Sequence, residues 1–562
     1  MTARSDIPMR NRAAMAGTKF DLLVIGGGIH GANCCLDAAS RGLRVALIER
    51  DDFGSATSAN SAKIAHSGLR YLQHADFKRL RRSVRERHLL IQRAPHLVIP
   101  SPFLLPVEGH GIKGRETTQL YIALYDLLSR SRQQFADPDR RIANARMLSP
   151  AEGRAICAAI DRPGLSGVAE WPESQVYSTE RLLIGVLRAA ASLGAQMANR
   201  MQADELLVDD GQVRGARVTD RQDGKALAIH ADTVIDATGP WAMRWSPQLQ
   251  TAPAPPASKA MSLLTRSLCE SHAISFTIPP MYHDRDAIVD KGASMQFAIP
   301  WRGHSLLASL HLPCPDDPGE VSISEEEILR YLDLINQGLP SARLTRGDVK
   351  RVLWGIVPAD RPGSASPEKH GRIVDHALTG GPRGLYSIIG VKLTTSRALA
   401  EEAIDLAMGK AGLPRSRTAE IPIWGGGIDR IADFFRQGRQ DLAMLEPGTT
   451  DHLLRCYGTG YKAVMAYAED QAAPEVIEGT QVLAAEVRHA VREEMASSLA
   501  DVVLRRTDMG SLECPPVEAL ERTASIMAEE LGWSGARAAS EVEAVLHGSN
   551  YGHSQGALAV ST

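Results

Sequence analysis

The sequence predicts an α/β protein: a doubly wound dinucleotide-binding domain, interrupted by β-rich insertions and followed by a helical region. Three observations carry that expectation. A strand, a glycine-rich turn, a helix and a second strand follow one another over residues 20–50. Two further apolar strands, at 231–236 and 386–389, each end in small or glycine residues, and beyond Trp424 the pattern becomes helical.

Phe20-Asp21-Leu22-Leu23-Val24-Ile25 is apolar enough to be a strand buried on both faces. Gly26-Gly27-Gly28-Ile29-His30-Gly31 follows, and Ile29, Leu36 and Ala39 recur at helical spacing. Arg44-Val45-Ala46-Leu47-Ile48 is the second strand and ends on Glu49, about 20 residues past the glycines, where a dinucleotide fingerprint places its acid. Gly26 serves the tight turn, Gly28 lets backbone approach a pyrophosphate, and Gly31 lets the helix pack close to the sheet. The helix N-terminus offers N–H groups to phosphate, and Glu49 offers acceptors to ribose hydroxyls. A ligand-free glycine turn is the competing reading, weakened by the complete set of flanking elements. Alone, the stretch serves NAD, NADP or FAD equally.

At 562 residues the chain exceeds one ordinary core, so two or three domains are expected. Hydrophobic residues at 44%, charged residues at 23% and a net charge of −3 describe a soluble globular protein and argue against nucleic-acid binding. The seven cysteines form no Cys-x-x-Cys pair and no metal-ligand spacing, so reduced thiols, a cytoplasmic setting and no metal are expected. Residues 1–19 are polar, lack the apolar core of a secretory signal and read as a disordered leader; residues 551–562 read as a tail. No apolar window of about 18 residues exists to span a membrane, which leaves peripheral attachment open.

Residues 51–71 are small and hydroxyl-rich, with Thr57, Ser58, Lys63, His66, Gly68, Arg70 and Tyr71 at short intervals. Such a segment suits a cofactor needing many hydrogen bonds; a capped surface helix starting near Thr57 is the alternative. Residues 77–91 form a basic helix with Phe77, Leu80, Val84 and Ile91 on one face, which either covers a sheet or lies on anionic lipid. Four prolines (Pro95, Pro100, Pro102, Pro106) mark an extended segment, 118–129 a helix, 164–171 a strand, and Thr179 the cap of a helix ending before Gly194. Asp210-Gly211 centres a hairpin. Ala237-Thr238-Gly239 closes a strand so that backbone passes near a dinucleotide, a second contact that two-domain flavoproteins use. Residues 253–351 are β-rich, with a hairpin at Trp301-Arg302-Gly303 and a helix from Ser324. Gly390-Val391-Lys392-Leu393-Thr394-Thr395 joins a strand to a helix N-terminus, where negative charge on a flavin is stabilised. Gly425-Gly426-Gly427 reads as a flexible joint before the C-terminal helices.

These residues resemble one family closely, the FAD-dependent glycerol-3-phosphate dehydrogenases among the D-amino-acid-oxidase-like flavoproteins. The resemblance runs through the glycine fingerprint, Ala56-Thr57-Ser58, Lys63, His66-Ser67-Gly68-Leu69-Arg70-Tyr71-Leu72, Ala94-Pro95-His96-Leu97, Ala237-Thr238-Gly239-Pro240-Trp241 and Gly390–Thr395. It returns at Val491-Arg492-Glu493-Glu494, Leu504-Arg505-Arg506-Thr507 and Ala528-Glu529-Glu530-Leu531-Gly532-Trp533, so it covers residues 20 to 545.

The resemblance implies a Rossmann-type FAD-binding domain at 20–410 (20–110, 165–250, 351–410), substrate-domain insertions at 111–164 and 251–350, and a C-terminal helical domain at 411–550. It implies oxidation of sn-glycerol 3-phosphate to dihydroxyacetone phosphate, with hydride transfer to flavin N5 and electrons passing to a quinone on the inner face of the cell membrane; a homodimer is compatible with it. Gly26, Gly28, Gly31, Glu49, Thr57, Ser58, Lys63, His66, Gly68, Thr238, Gly239, Gly390, Lys392, Leu393 and Thr394 are then the cofactor contacts. Arg70, Tyr71, Arg372 and Lys392 are the substrate contacts, and Arg70, Lys392 and His66 the catalytic candidates. Two departures stand out: Gly355-Ile356-Val357-Pro358 has valine where the family carries an arginine, and Lys259-Ala260-Met261-Ser262 lacks the family's histidine. Losing an arginine–phosphate contact removes a strong charge-assisted interaction, so a different hydroxy acid, amine or polyol phosphate is the alternative substrate.

Overall fold

The computed structural model describes residues 12–111, 114–129, 135–249, 252–279, 294–314, 317–468 and 473–548, the side chains of Arg70 and Gln73 excepted. The expected tail at 551–562 lies outside them. The described chain divides into two compact units. The first draws on Met1–Ala59, Ser178–Pro256 and Glu368–Gly548; the second on Asn60–Tyr177 and Ala257–Pro367.

The first unit is built on a sheet whose parallel strands run Gln196–Ala198, Val45–Ile48, Lys19–Ile25, Ala226–Asp236 and Leu385–Ile389 across its width. Numbered along the chain this is 3-2-1-4-5, the doubly wound order, with the reversal between Lys19–Ile25 and Ala226–Asp236. Leu22, Leu23, Val24, Leu47 and Val234 are completely buried, as strands covered on both faces require. Arg372–Asp375 adds an antiparallel edge, and the hairpin Met201–Asp209/Gln212–Asp220 pairs onto the start of Ala226–Asp236. Its turn residues Asp210 and Gly211 both take positive φ, the turn that Asp-Gly favours.

Part of the expected leader is structured. Arg12–Gly17 is a helix whose Met15 is buried in the core of the first sheet and whose Arg12 pairs with Asp220 and Asp223 at 2.6 Å, so the disordered reading fails for residues 12–19. The helix Thr179–Ala191 is capped by Ser178, whose Oγ accepts the Arg181 N–H, and not by Thr179.

The helices beyond residue 430, among them Pro447–Tyr457, Ala484–Glu494 and Val517–Leu531, form the expected helical region and belong to the first compact unit. Buried ion pairs tie them to it. Arg181 makes a fork to Glu494 at 2.6 and 2.9 Å, and Asp52, three residues past Glu49, accepts from Arg505 at 2.6 Å and from Arg506 at 2.7 and 2.8 Å. The glycine run is no flexible joint. The Trp424 N–H reaches the Gly185 carbonyl, its ring stacks on His489, and the Thr459 N–H reaches the Gly425 carbonyl.

The second unit holds a sheet ordered Val349–Pro358, Ala257–Arg266, His304–Pro313, Ser294–Trp301, Ala273–Ile278, Val98–Glu108, Leu165–Val176 and Ile64–Ala65. Residues 60–110, expected with the cofactor domain, group here because Val98–Glu108 pairs along its whole length with Leu165–Val176 and in parallel with Ala273–Ile278. The prolines at 100, 102 and 106 sit inside that strand. The helix Glu325–Gly338, opened by a capping box at Ser324, covers one face; Tyr331 Oη donates to Gln296 Oε1 at 2.7 Å above a core of Leu263, Ile274, Phe276, Leu310 and Ile335. Strand alternation sends Ser262, Phe297, His311 and Val357 to the opposite face.

Candidate active site

In the first unit, the carboxyl ends of Lys19–Ile25 and Ala226–Asp236 meet at the topological switch point. Gly26 has φ +109, and a Cβ there would stand 2.6 Å from the Ala237 carbonyl oxygen; a Cβ on Gly31 would collide with the Gly26 carbonyl. These two contacts draw the helix Ile29–Ser40 against the strand ends and point its N-terminus outward. Gly28 is half-exposed, and only Ser58 Oγ, at 3.2 Å, would approach a Cβ on it, so the backbone stays accessible. Ser58 Oγ accepts the Ile29 N–H at 3.0 Å. Glu49 accepts the Gly27 N–H at 2.6 Å and the Asp51 N–H at 2.8 Å. Burial pushes its pKa up against those two bonds.

A second helix N-terminus joins the first. Asn33 Nδ2 donates to Ser396 Oγ at 3.2 Å, and the His30 ring abuts Gly390, bringing the start of Ser396–Met408 and the 390–395 loop beside the glycine turn. Lys392 and Leu393 are half-exposed on that loop, and Thr394 is buried. Arg372 is exposed on the edge strand and pairs with Ile389, the residue before Gly390. Asp236 Oδ1 accepts from Thr238 Oγ1 at 2.7 Å and Asp236 Oδ2 from Ser387 Oγ at 2.9 Å, which sets the 237–239 turn, where Gly239 is exposed with φ +62. Two helix N-termini, a turn free of side chains and a carboxylate ending the second strand suit a dinucleotide with its pyrophosphate at the helix ends.

In the second unit, the Lys63–Tyr71 motif is organised by a residue that sequence reasoning missed. Glu173, 1% exposed, accepts the Ser67 N–H at 2.7 Å and Ser67 Oγ at 2.5 Å, while Arg87 Nη1 stands at 3.2 Å and His66 Nδ1 at 3.2 Å. Burial alone would raise its pKa, but His66 and Arg87 hold it below the usual carboxylate value. Nδ1 lies 3.2 Å from this carboxylate and also 3.2 Å from the Gly68 N–H, which donates to it, so the ring is held between Glu173 and the backbone. Glu173 stands in the strand Leu165–Val176 among other polar residues, Glu170, Ser174 and Gln175, and its partners are 86 to 107 positions away, so nothing local singled it out.

Lys63 is buried, with its ammonium 5.1 Å from the centroid of the Trp301 ring. Gly68 leaves the room that the Tyr71 ring fills, and Arg79 covers that ring at 4.1 Å, so Tyr71 is buried where a pocket-lining position was expected. Thr57 and Ser58 lie in a turn segment and begin no helix. Arg70 sits in the 3-10 turn Leu69–His74, and its side chain lies outside the described residues. His66 faces Tyr71 and Phe297, ring centroids 6.0 and 6.4 Å away, on the sheet face that also carries Ser262 and Val357. Lys259, from the stretch lacking the family histidine, pairs instead with Glu327 at 2.7 Å.

A doubly wound nucleotide sheet combined with a second, β-rich unit defines a two-unit flavoprotein oxidoreductase. Residues 21–406 match the FAD dependent oxidoreductase family, and residues 416–538 match the C-terminal domain of alpha-glycerophosphate oxidase. A glycerol-3-phosphate dehydrogenase of Synechocystis sp. is 31% identical, the match covering 89% of this chain and 90% of that one. One from Mycobacterium leprae is 32% identical over 92% of this chain and 86% of its own. The solved glycerol-3-phosphate dehydrogenase from Bacillus halodurans, complexed with FAD, shares the fold at a TM-score of 0.73 and 23% identity, covering 95% of both chains. The chain belongs to the FAD-dependent oxidoreductases, in the glycerol-3-phosphate dehydrogenase family. No described helix is long and apolar enough to cross a membrane.

Proposed function

We propose that the protein oxidises sn-glycerol 3-phosphate to dihydroxyacetone phosphate and delivers the electrons to a quinone. The observation that carries this reading is the match along nearly the whole chain, through both family regions, to relatives of that name. FAD, when bound, supplies the two-electron acceptor. The glycine turn with Glu49, Thr238, Gly239 and the 390–394 loop would hold it. His66 is the proposed acceptor of the substrate hydroxyl proton, with Glu173 orienting the ring and stabilising the imidazolium that results. Lys392 and Arg372 are the proposed cationic contacts for substrate charge, joined by Arg70 on the family pattern. Anaerobic addition of glycerol 3-phosphate to the purified holoprotein is expected to bleach its visible flavin absorption; an unbleached spectrum overturns the substrate assignment.

Val357 and Ser262 favour a second reading. They share one face of the second sheet, where a valine and a serine replace an arginine and a histidine, and offer less positive charge to a phosphate. A different hydroxy acid, amine or polyol phosphate that bleaches the flavin where glycerol 3-phosphate fails would establish it.

Peripheral membrane contact is proposed for the second unit. The helix Phe77–Arg93 exposes Phe77, Lys78, Arg81 and Arg85, and the helix Arg115–Leu128 exposes Leu120 (72%), Leu124 (39%) and Leu127 (53%) along one stripe. Exposed leucines and a basic stripe suit an anionic lipid surface. Sedimentation with anionic but not neutral vesicles, weakened by Leu124→Glu, supports this; equal sedimentation with both vesicle types counts against it.

A further inference from the structure

Away from the cofactor turn, the C-terminal helices enclose a group of chemistry-bearing side chains that the proposed reaction does not use. His452 and Cys456 lie one turn apart on the helix Pro447–Tyr457, so both side chains leave the same face. The fold brings Asp508 to them from the segment after Val502–Arg506. His452 Nδ1 is 2.8 Å from Asp508 Oδ1 and 3.6 Å from Cys456 Sγ, and Cys456 Sγ is 4.0 Å from Asp508 Oδ2. All three ligand atoms fall within 4.8 Å of one another.

We propose that His452, Cys456 and Asp508 form a site for a divalent transition-metal ion, with zinc the best fit. Bonds of about 2.0–2.3 Å at tetrahedral angles set ligand atoms roughly 3.3–3.7 Å apart. The sulfur–nitrogen distance already lies in that range, the sulfur–oxygen distance is slightly long, and the nitrogen–oxygen distance opens by about 0.5 Å when the ion replaces the proton between them.

The surroundings match what a metal-bound imidazole needs. His452 Nε2 donates to Glu486 Oε2 at 2.8 Å, and Glu486 is itself held by the Leu483 N–H at 2.8 Å, so the ring is fixed from behind by a carboxylate, the usual second partner of a ligating histidine. His452 and Cys456 are buried, whereas the Asp508 side chain is 12% exposed, so the cluster meets solvent on that side. Arg181, whose Nε donates to the Cys456 carbonyl at 3.3 Å, is neutralised by its fork to Glu494 and does not oppose a cation.

Charge balances as well. A neutral imidazole nitrogen, the Cys456 thiolate and the Asp508 carboxylate together set two negative charges against the two positive charges of the ion, the thiol proton leaving to solvent. Nitrogen and thiolate sulfur form the new bonds as water leaves the aquo ion, and no electron is transferred. The reading of the cysteines as lacking ligand spacing misses this group because its carboxylate lies 52 positions beyond Cys456.

Titration of the chelator-treated holoprotein with cobalt(II) tests the site. One equivalent is expected to produce tetrahedral d–d bands to the red of the flavin absorption, together with a thiolate-to-cobalt band, and added zinc is expected to abolish both. Cys456→Ser is expected to lose the thiolate band and Asp508→Asn to weaken cobalt affinity at least tenfold. The part-exposed Asp508 position keeps the test valid where Cys456→Ser fails to fold. No tetrahedral bands in the parent protein, or bands that survive both substitutions and so report the half-buried Cys314 or Cys514, overturns the proposal.

Discussion

Replacing Glu173 by glutamine keeps the shape of the side chain and removes the charge around which Ser67, His66 and Arg87 are arranged. Both Glu173 and Arg87 have side chains only 1% exposed, so solvent does little to screen the pair. Two unit charges 3.2 Å apart attract by about 5 kcal/mol at an effective dielectric constant of 20. Breaking one half of a buried pair costs about 3–5 kcal/mol, because the remaining ion is left buried. Arg87 keeps Tyr125 Oη at 3.1 Å and the Pro172 carbonyl at 3.0 Å, but neither carries a compensating charge, and its Nε and Nη2 already lack partners. Hydrogen exchange in Leu165–Val176 is therefore expected to accelerate by about two to nearly four powers of ten in Glu173→Gln. The double variant Glu173→Gln/Arg87→Met, which removes both ions, is expected to recover most of that protection. In Glu173→Gln the rate of flavin bleaching by substrate is expected to fall by at least about a hundredfold, because His66 loses the charged partner that stabilises its imidazolium. Exchange within a factor of ten of the parent, or a double variant as labile as the single one, refutes the reasoning.

Gly31→Ala places a methyl group against the Gly26 carbonyl, so the protein is expected to purify with little flavin; a normal ratio of visible to ultraviolet absorbance counts against the cradle. Asp52→Asn leaves Arg505 and Arg506 facing a neutral amide and is expected to cost about 3–5 kcal/mol, read from the urea midpoint. Acid should act through the same kind of group. Burial would raise the pKa of Asp52, Glu173 and Glu494, but Arg506 and Arg505, His66 and Arg87, and Arg181 hold all three low. Their stabilisation is fully present above the ordinary carboxylate value of about 4 and is lost as pH falls through the lower folded values, so melting temperature should decline from about pH 4 downward, less steeply in Asp52→Asn. Val357→Arg restores a cation on the Ser262 face and is expected to lower KM for glycerol 3-phosphate roughly tenfold or more; an unchanged KM removes Val357 from the substrate site.

The nucleotide half of the site was readable because its signal is local. A strand, three glycines, a helix and an acid within about thirty residues specify a turn whose geometry depends on its own backbone, and Gly26, Gly31 and Glu49 stand as that pattern requires. The same holds for the hairpins at Asp210-Gly211 and Arg302-Gly303, where both residues of each turn adopt positive φ. Long-range chemistry was not readable. Glu173 and Arg87 look like ordinary polar positions until tertiary pairing buries them. Gly425–Gly427 suggested mobility because glycine is permissive, and only the packing of Trp424 on His489 shows the turn to be pinned. Ser178 and Thr179 are equivalent cap candidates in sequence, and the extended backbone at Ser178 decides between them.

The bond between Asp52 and Arg506 joins positions 454 residues apart. At ribosomal speeds of about 5–20 residues per second, the loop carrying Asp52 emerges roughly 20 to 90 seconds before its counter-ions are made. Through that interval the chain carries the finished glycine turn with a carboxylate that must stay hydrated. The nascent nucleotide fold therefore waits on a segment 454 positions further along the polypeptide to settle, and a truncation before Arg505 should leave a chain that chaperones retain.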